Sequence, residues 1–359
     1  MLRRLLPLTL ALVACGQTPP ESRRCLAPVV AAAPPPAMSL SPVPLPPIVL
    51  VTIDGVRAQD AFDPTLTPNL HRLVERGVGL GAVGAPLIAS GPRFVSLPGY
   101  REILTGRRNH DCIDNRCATL CEPTLLDELR LRNQLGREDV AVIASWEVIA
   151  RAASATPEAL TLSAGRSGGA TRERLAVDET TRRHLERAAS AAAWPGHGDY
   201  RPDAWTGTLA LDYVAARHPR LLWVALGDTD EHAHRGDRAG YQRALGDADD
   251  FLGRLLALVG DDAIVLVASD HGRSANFRDH GDSVESSHTW LVAAGGPLPR
   301  LGLAPARAPR RLADIAPTLR SLLRLERDDS PLAGTPIPEL TTAARATWLT
   351  SNAPEPSGQ

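Results

Sequence analysis

Uninterrupted apolar runs punctuate this chain at regular intervals. Ile48–Ile53, Val140–Ala144, Leu221–Leu226, Ala263–Ala268 and Thr289–Ala294 each read as a strand buried on both faces. Longer stretches with helical spacing lie between and beyond them, at about Leu125–Leu131, Trp205–Ala216, Arg238–Val259 and Ile315–Leu323. Two shorter helices are marked by proline in the first turn: one follows Thr67-Pro68-Asn69 and ends near Gly77, the other runs from Pro98 to about Leu104. Strands alternating with helices predict an α/β fold with a doubly wound, mostly parallel sheet flanked by helices. Ligands of such sheets bind beyond the carboxyl ends of the strands. Residues 151–204 show no clear strand pattern and carry glycine-rich stretches at 163–169 and 194–198. They are expected to form a lid or insertion on the substrate side. The pattern bounds one catalytic domain at 48–325, followed by a peripheral tail at 326–359.

The N-terminus carries a different pattern. Arg3 and Arg4 precede the short apolar run Leu5–Val13, which is too short to span a bilayer. Leu12-Val13-Ala14-Cys15 resembles a bacterial lipobox. Residues 1–14 are therefore expected to be a signal peptide and Cys15 the lipidated residue. Each buried acyl CH₂ contributes roughly 0.8 kcal/mol, so several chains on one cysteine anchor stably. Residues 15–47, rich in Pro and Ala without apolar periodicity, read as a tether. The expected location is the bacterial cell envelope, with the membrane as a partner through this anchor.

Composition narrows the reading further. The 359 residues carry a formal net charge of −2, which gives no electrostatic case for nucleic acid. There are five cysteines, and Cys112, Cys117 and Cys121 crowd one segment. In an exported protein a local disulfide from Cys112 to Cys117 or Cys121 is expected. A zinc site built from these three is the rival, without a nearby fourth ligand.

The candidate chemistry sits at the ends of the predicted strands. Asp54 follows the first, Asp230 and His234 follow the third, and Asp270-His271 follows the fourth. Ser96 opens the proline-marked helix. Asp230 and His234, four apart, share one face of a helical turn. One divalent cation can take Asp230, His234 and a further histidine, either His280 or His288. A second can take Asp54, Asp270, His271 and the Ser96 oxygen. A ligand set of oxygen and nitrogen suits Zn²⁺ best, with Mn²⁺ the alternative. Coordination lowers the pKa of a hydroxyl, so Ser96 is the expected nucleophile.

These residues fall in motifs that resemble the alkaline phosphatase superfamily, in its phosphodiesterase and nucleotide pyrophosphatase branch. The resemblance rests on Thr52-Ile53-Asp54-Gly55, on Ser96-Leu97-Pro98-Gly99-Tyr100 continuing to Gly106, on Asp230 to Gly236, on Ser269-Asp270-His271-Gly272-Arg273, and on Ala313-Asp314-Ile315-Ala316-Pro317. It covers about residues 48–323 and implies an alkaline-phosphatase-like fold. The context His280-Gly281 resembles the close bacterial relatives and favours His280 as the last ligand. The context His288-Thr289 resembles the phosphatases and mutases. Asn115 resembles the asparagine that helps hold a phosphoryl oxygen, with Asn109 as its substitute.

What the resemblance implies is hydrolysis of a small-molecule phosphate ester, a diester or a monoester, through a phosphoseryl intermediate. A sulfate-ester or phosphonate hydrolase shares the same metal core. A formylglycine sulfatase is disfavoured because Tyr100 stands where its motif wants Arg. A phosphomutase is disfavoured by export, and a phosphoethanolamine transferase by the lack of several membrane helices. The reading from another class is a non-catalytic envelope lipoprotein that retains the fold.

Overall fold

The computed structural model describes residues 45–108 and 111–342. The expected signal peptide, Cys15, most of the tether, Asn109 and the end of the tail lie outside the described residues. The strands are β1 (Ile48–Ile53), β2 (Gly77–Leu80), β3 (Leu87–Ile88), β4 (Val140–Ala144), β5 (Thr161–Ala164), β6 (Leu221–Leu226), β7 (Ile264–Ala268), β8 (His288–Thr289), β9 (Leu291–Ala294), β10 (Gly302–Leu303) and β11 (Arg310–Arg311). The helices are α1 (Ala58–Ala61), α2 (Pro68–Glu75), α3 (Ser96–Thr105), α4 (Leu125–Arg132), α5 (Ala150–Ala153), α6 (Glu179–Ser190), α7 (Asp203–Arg217), α8 (Asp228–His234), α9 (Arg238–Val259), α10 (Val284–Ser287) and α11 (Ile315–Leu322).

Eight strands form the main sheet in the order β10-β2-β9-β7-β1-β6-β4-β5. All its pairings are parallel except the two made by β9, which runs antiparallel to β7 and β2. Successive side chains of a strand point to opposite faces, and both faces here are apolar. Leu50, Val142, Trp223 and Leu266 pack on one side with Tyr100 and Ile103 of α3, Leu129 of α4 and Leu319 of α11. Val51, Ile143, Val224 and Val267 pack on the other with Leu73 of α2, Leu185 of α6, Tyr213 of α7 and Leu252 of α9. This double burial explains why the central strands appear in the sequence as continuous apolar runs rather than alternating ones. The expected doubly wound, mostly parallel sheet is the architecture found.

Two readings of the pattern are altered. Residues 151–204 are not without strands. Thr161–Ala164 extends the main sheet as β5, parallel to β4, and Leu185 and Ala188 of α6 are buried against the core. The segment Thr-Leu-Ser-Ala is too short and too polar to show as an apolar run. Nor is the segment after residue 325 wholly peripheral: Ile337 and Leu340 are buried in the core, and Arg310 pairs with Glu339 at 2.7 Å. In the crowded loop, Cys112 is joined to Cys117 by a disulfide.

Candidate metal centre

The centre of the sheet runs β7-β1-β6, so the residues just past these strands are neighbours. This brings Asp54, Asp270 and Asp230 to one rim although 216 positions separate the first from the second. The turn after β1 needs Gly55, whose φ is +61°. A Cβ there would lie 2.4 Å from Asp230 Oδ1, so a side chain would block the convergence. The Gly55 N–H donates to Asp270 Oδ1 at 3.3 Å and the Val56 N–H to Ser269 Oγ at 3.0 Å, tying the β1 and β7 turns together.

Ser96 is the first residue of α3, and the whole helix is buried. Its Oγ lies 3.4 Å from Asp54 Oδ1 and 3.4 Å from His271 Nε2. His271 Nε2 is 3.2 Å from Asp54 Oδ1 and 3.4 Å from Asp270 Oδ2. Asp54, Asp270 and His271 form one group able to hold a metal ion; Asp230, His271 and His280 form a second. His234 joins the second: its Nε2 is 3.0 Å from Asp230 Oδ2 and 3.0 Å from His280 Nε2. The rings of His271 and His280 stack with centroids 3.9 Å apart.

The donor set fits divalent cations on several grounds. His271 Nδ1 lies 2.8 Å from the Gly272 carbonyl, and His280 Nδ1 lies 2.9 Å from the Phe94 carbonyl. A carbonyl only accepts, so both Nδ1 atoms carry protons and the Nε2 atoms are the ones left to ligate. Asp270 Oδ2 is buried and lacks a hydrogen-bond partner, which is costly for a carboxylate oxygen unless a cation faces it. Three carboxylates within one buried site also call for compensating positive charge.

The electrostatics follow from this crowding. Burial and then the Asp54 charge push the Asp270 carboxyl well above the usual range. Burial works to lower the His271 imidazolium, but Asp270 and Asp54 overcome it and raise the group to about 10. His280, buried and beside His271, is pushed down to about 3. Burial would raise Asp230 too, yet the Arg273 guanidinium, His280 and His234 hold it well below the ordinary value.

Among the residues expected from sequence, Asp54, Ser96, Asp230, His234, Asp270, His271 and His280 meet at this centre. His288 does not. Its side chain is exposed on β8, where its backbone pairs with Ile88 and its carbonyl lies over Gly272. His288, the alternative last ligand, is therefore set aside: its side chain is exposed and belongs to neither group. Asn115 reaches the site, its Oδ1 accepting from the Leu97 N–H at 2.9 Å. His232, four residues after Asp228, pairs with Asp237 at 3.0 Å instead of joining a metal group.

The centre opens into a cleft of about 470 Å³ lined by Ser96, Asn115, Trp146, Tyr200, Arg235 and His280, among others. Sequence reasoning missed three supporting residues. Tyr100 donates its hydroxyl to Asp54 Oδ2 at 2.9 Å. Arg273, buried, pairs with Asp230. Tyr200 donates to Asp228 at 2.7 Å. Tyr100 and Arg273 lie inside the quoted motifs, and their spacing after Ser96 and Asp270 was the available signal.

Residues 210–327 match the model of the Metalloenzyme superfamily. That stretch holds Asp230, His234, Asp270, His271 and His280 but begins after Asp54 and Ser96. The 2,3-bisphosphoglycerate-independent phosphoglycerate mutase of Haloarcula marismortui is 28% identical over 139 residues, which are 36% of this chain and 25% of the mutase. The match thus spans only a quarter of that relative's length. Two solved structures share the fold more completely. An alkaline phosphatase, PafA, superposes with a TM-score of 0.57 at 13% identity, over 84% of this chain and 100% of its own. A 2-O GAG sulfatase, BT1596, gives a TM-score of 0.57 at 12% identity, over 83% of this chain and 75% of its own. The ligand-bearing segment is thus similar to the Metalloenzyme superfamily, and the fold is alkaline-phosphatase-like.

Proposed function

We propose that this chain is an exported, lipid-anchored, two-metal hydrolase that cleaves small-molecule phosphate esters through a covalent phosphoseryl intermediate. The observation that carries the reading is the position of Ser96 Oγ. It stands at the head of a buried helix, 3.4 Å from both Asp54 and His271, and His271 Nε2 is in turn 3.4 Å from the Asp270 oxygen that has no hydrogen bond. Asp54, Asp270 and His271 would hold one cation with Ser96; Asp230, His234 and His280 would hold the other. Zn²⁺ suits these ligands best. Such cations supply Lewis acidity, lowering the hydroxyl pKa and neutralising charge on the phosphoryl oxygens.

The chain's own groups account for the rest. Ser96 Oγ gives up its proton to solvent and forms a bond to phosphorus while the bond to the leaving oxygen breaks, and that oxygen takes a proton from solvent. Water then attacks phosphorus, the Oγ–P bond breaks, and Ser96 recovers a proton. With its Oδ1 engaged by the Leu97 N–H, Asn115 keeps its amide nitrogen to donate to a phosphoryl oxygen. The N-terminus of α3 favours the negative charge that gathers there. Export and anchoring at Cys15 are supported by the N-terminal pattern and by the Cys112–Cys117 disulfide, which suits an oxidising compartment.

The test is Ser96→Ala in zinc-loaded protein, assayed on aryl phosphate monoesters, diesters, phosphonates and sulfates with and without chelator. Loss of the nucleophile should lower turnover by roughly 10³-fold or more while metal content stays at the wild-type level. Full turnover in the variant would sink the phosphoseryl route. A wild-type protein inert on the whole panel would favour the binding lipoprotein.

A further inference from the structure

Arg273 follows the Asp270-His271-Gly272 turn and is buried to 2% exposure. A guanidinium removed from water must have its donors satisfied, and here nearly all are. Nε donates to the Phe277 carbonyl at 2.6 Å and Nη2 to the Arg278 carbonyl at 2.9 Å. Nη1 donates to Asp230 Oδ1 in a close ion pair and reaches the Gly55 carbonyl at 3.4 Å. One side chain thus touches the turn after Asp54, the carboxylate of Asp230, and the backbone that leads to His280. The approach is built in: a Cβ on Gly55 would lie 2.5 Å from Nη1.

We propose that Arg273 is a positioning residue that builds one of the two cation sites selectively, and this rests on the two-metal reading above. The guanidinium holds Oδ1, so Oδ2 is the Asp230 oxygen that faces a cation without that positive charge against it. That oxygen lies 3.0 Å from His234 Nε2, which is itself 3.0 Å from His280 Nε2. The two carbonyl bonds fix the chain two and three residues before His280, so the same guanidinium sets both the carboxylate and the last imidazole. The Asp54, Asp270 and His271 group makes no hydrogen bond to it through a side chain. Loss of Arg273 should therefore damage the Asp230 site and spare the Asp54 site.

Apo-protein carrying Arg273→Met or Arg273→Lys is titrated with Co²⁺, followed by visible absorption, and metal content after zinc loading is measured by elemental analysis. Wild type should take two equivalents. Each variant should take one tightly and bind the second roughly 10- to 100-fold more weakly, the range for losing a group that holds a metal ligand. Lysine keeps the charge but cannot span Asp230 and two carbonyls, so it should not rescue. Two equivalents at wild-type affinity in both variants would overturn the inference and leave the hydrolase reading intact. Loss of native circular dichroism in both apo variants would also overturn it, since the residue would then support the fold as a whole. No cobalt or zinc bound by wild type would overturn the two-metal reading itself.

Discussion

Tyr100 shows how much a single side chain off the ligand list can matter. It is fully buried on α3, and its hydroxyl donates to Asp54 Oδ2. Burial, then the Asp270 and Asp54 charges, push the phenol well above its ordinary value, so it remains a donor throughout the working pH range. Tyr100→Phe removes that donor and leaves a buried carboxylate oxygen short of a partner. Hydrogen bonds to charged groups contribute about 1.5–3 kcal/mol, and losing a ligand's supporting bond costs roughly 10- to 100-fold in metal affinity. A competition titration with a zinc chelator should show the weaker binding; unchanged affinity would mean that Tyr100 only packs. At this scale the sequence was informative about ligands and poor about their supports. An Asp after an apolar run announces itself, whereas the partner of its second oxygen depends on a helix 46 positions away.

At the scale of elements, the approach of α3 to the end of β7 decides where Ser96 sits. A Cβ on Gly99 would fall 2.3 Å from the Asp270 carbonyl oxygen, a backbone atom that cannot swing aside. Gly99→Ala should therefore displace α3, destabilise by about 1–3 kcal/mol as overpacking does, and lower turnover by on the order of 10²-fold. Thermal melts and kcat check both; a variant with wild-type turnover would show that α3 tolerates the shift. A second pair of elements is joined by reciprocal capping. Asp203 accepts from the Gly227 and Asp228 N–H groups at 2.8 and 2.9 Å, while Asp228 accepts from the Asp203 N–H at 3.3 Å. Burial raises both carboxyls, Asp203 to about 6 and Asp228 to about 8, each with a contribution from other acids, Asp203 adding to Asp228. The folded pair holds protons that the unfolded chain releases near pH 4. Its stability contribution is thus complete below pH 4 and lost as pH rises through 6 and 8. Asp228→Asn keeps the oxygen that Tyr200 and the Asp203 N–H use, and should flatten the fall in Tm between pH 4 and 8. An unaltered slope would assign that titration elsewhere. The central strands and the long helices were legible because burial on both faces leaves continuous apolar runs. Thr161–Ala164 was not, because a short edge strand needs only a few apolar contacts. His280 and His288 could be told apart only by register, which no residue type reports.

For the whole molecule, the order β7-β1-β6 gathers three acids whose mutual repulsion the fold must offset. That makes metal binding, protonation and stability one linked quantity. Without cations, Asp270 keeps its proton well above the usual range and His271 keeps its own up to about 10. His280, pushed down to about 3, is already neutral. A cation needs the deprotonated forms, so binding must expel protons from the Asp54, Asp270 and His271 group. Each proton released makes affinity rise about tenfold per pH unit, since one unit is worth about 1.36 kcal/mol. The expected outcome is zinc affinity at the Asp54, Asp270 and His271 group that climbs from pH 6.5 towards 10, with at least one proton released as that group fills. Calorimetric titrations in buffers of different ionisation enthalpy count that release directly. The same linkage sets stability: at zinc about 100 times its Kd, bound metal should add roughly 2.7 kcal/mol per site. In a domain of this size that raises Tm by several degrees, about 2–4 °C for each kcal/mol. A chelator should remove the increment at pH 8 and remove less of it at pH 6.5, where protons already compete. A chelator effect independent of pH, or no proton release on binding, would show that these carboxylates and imidazoles do not hold the metal.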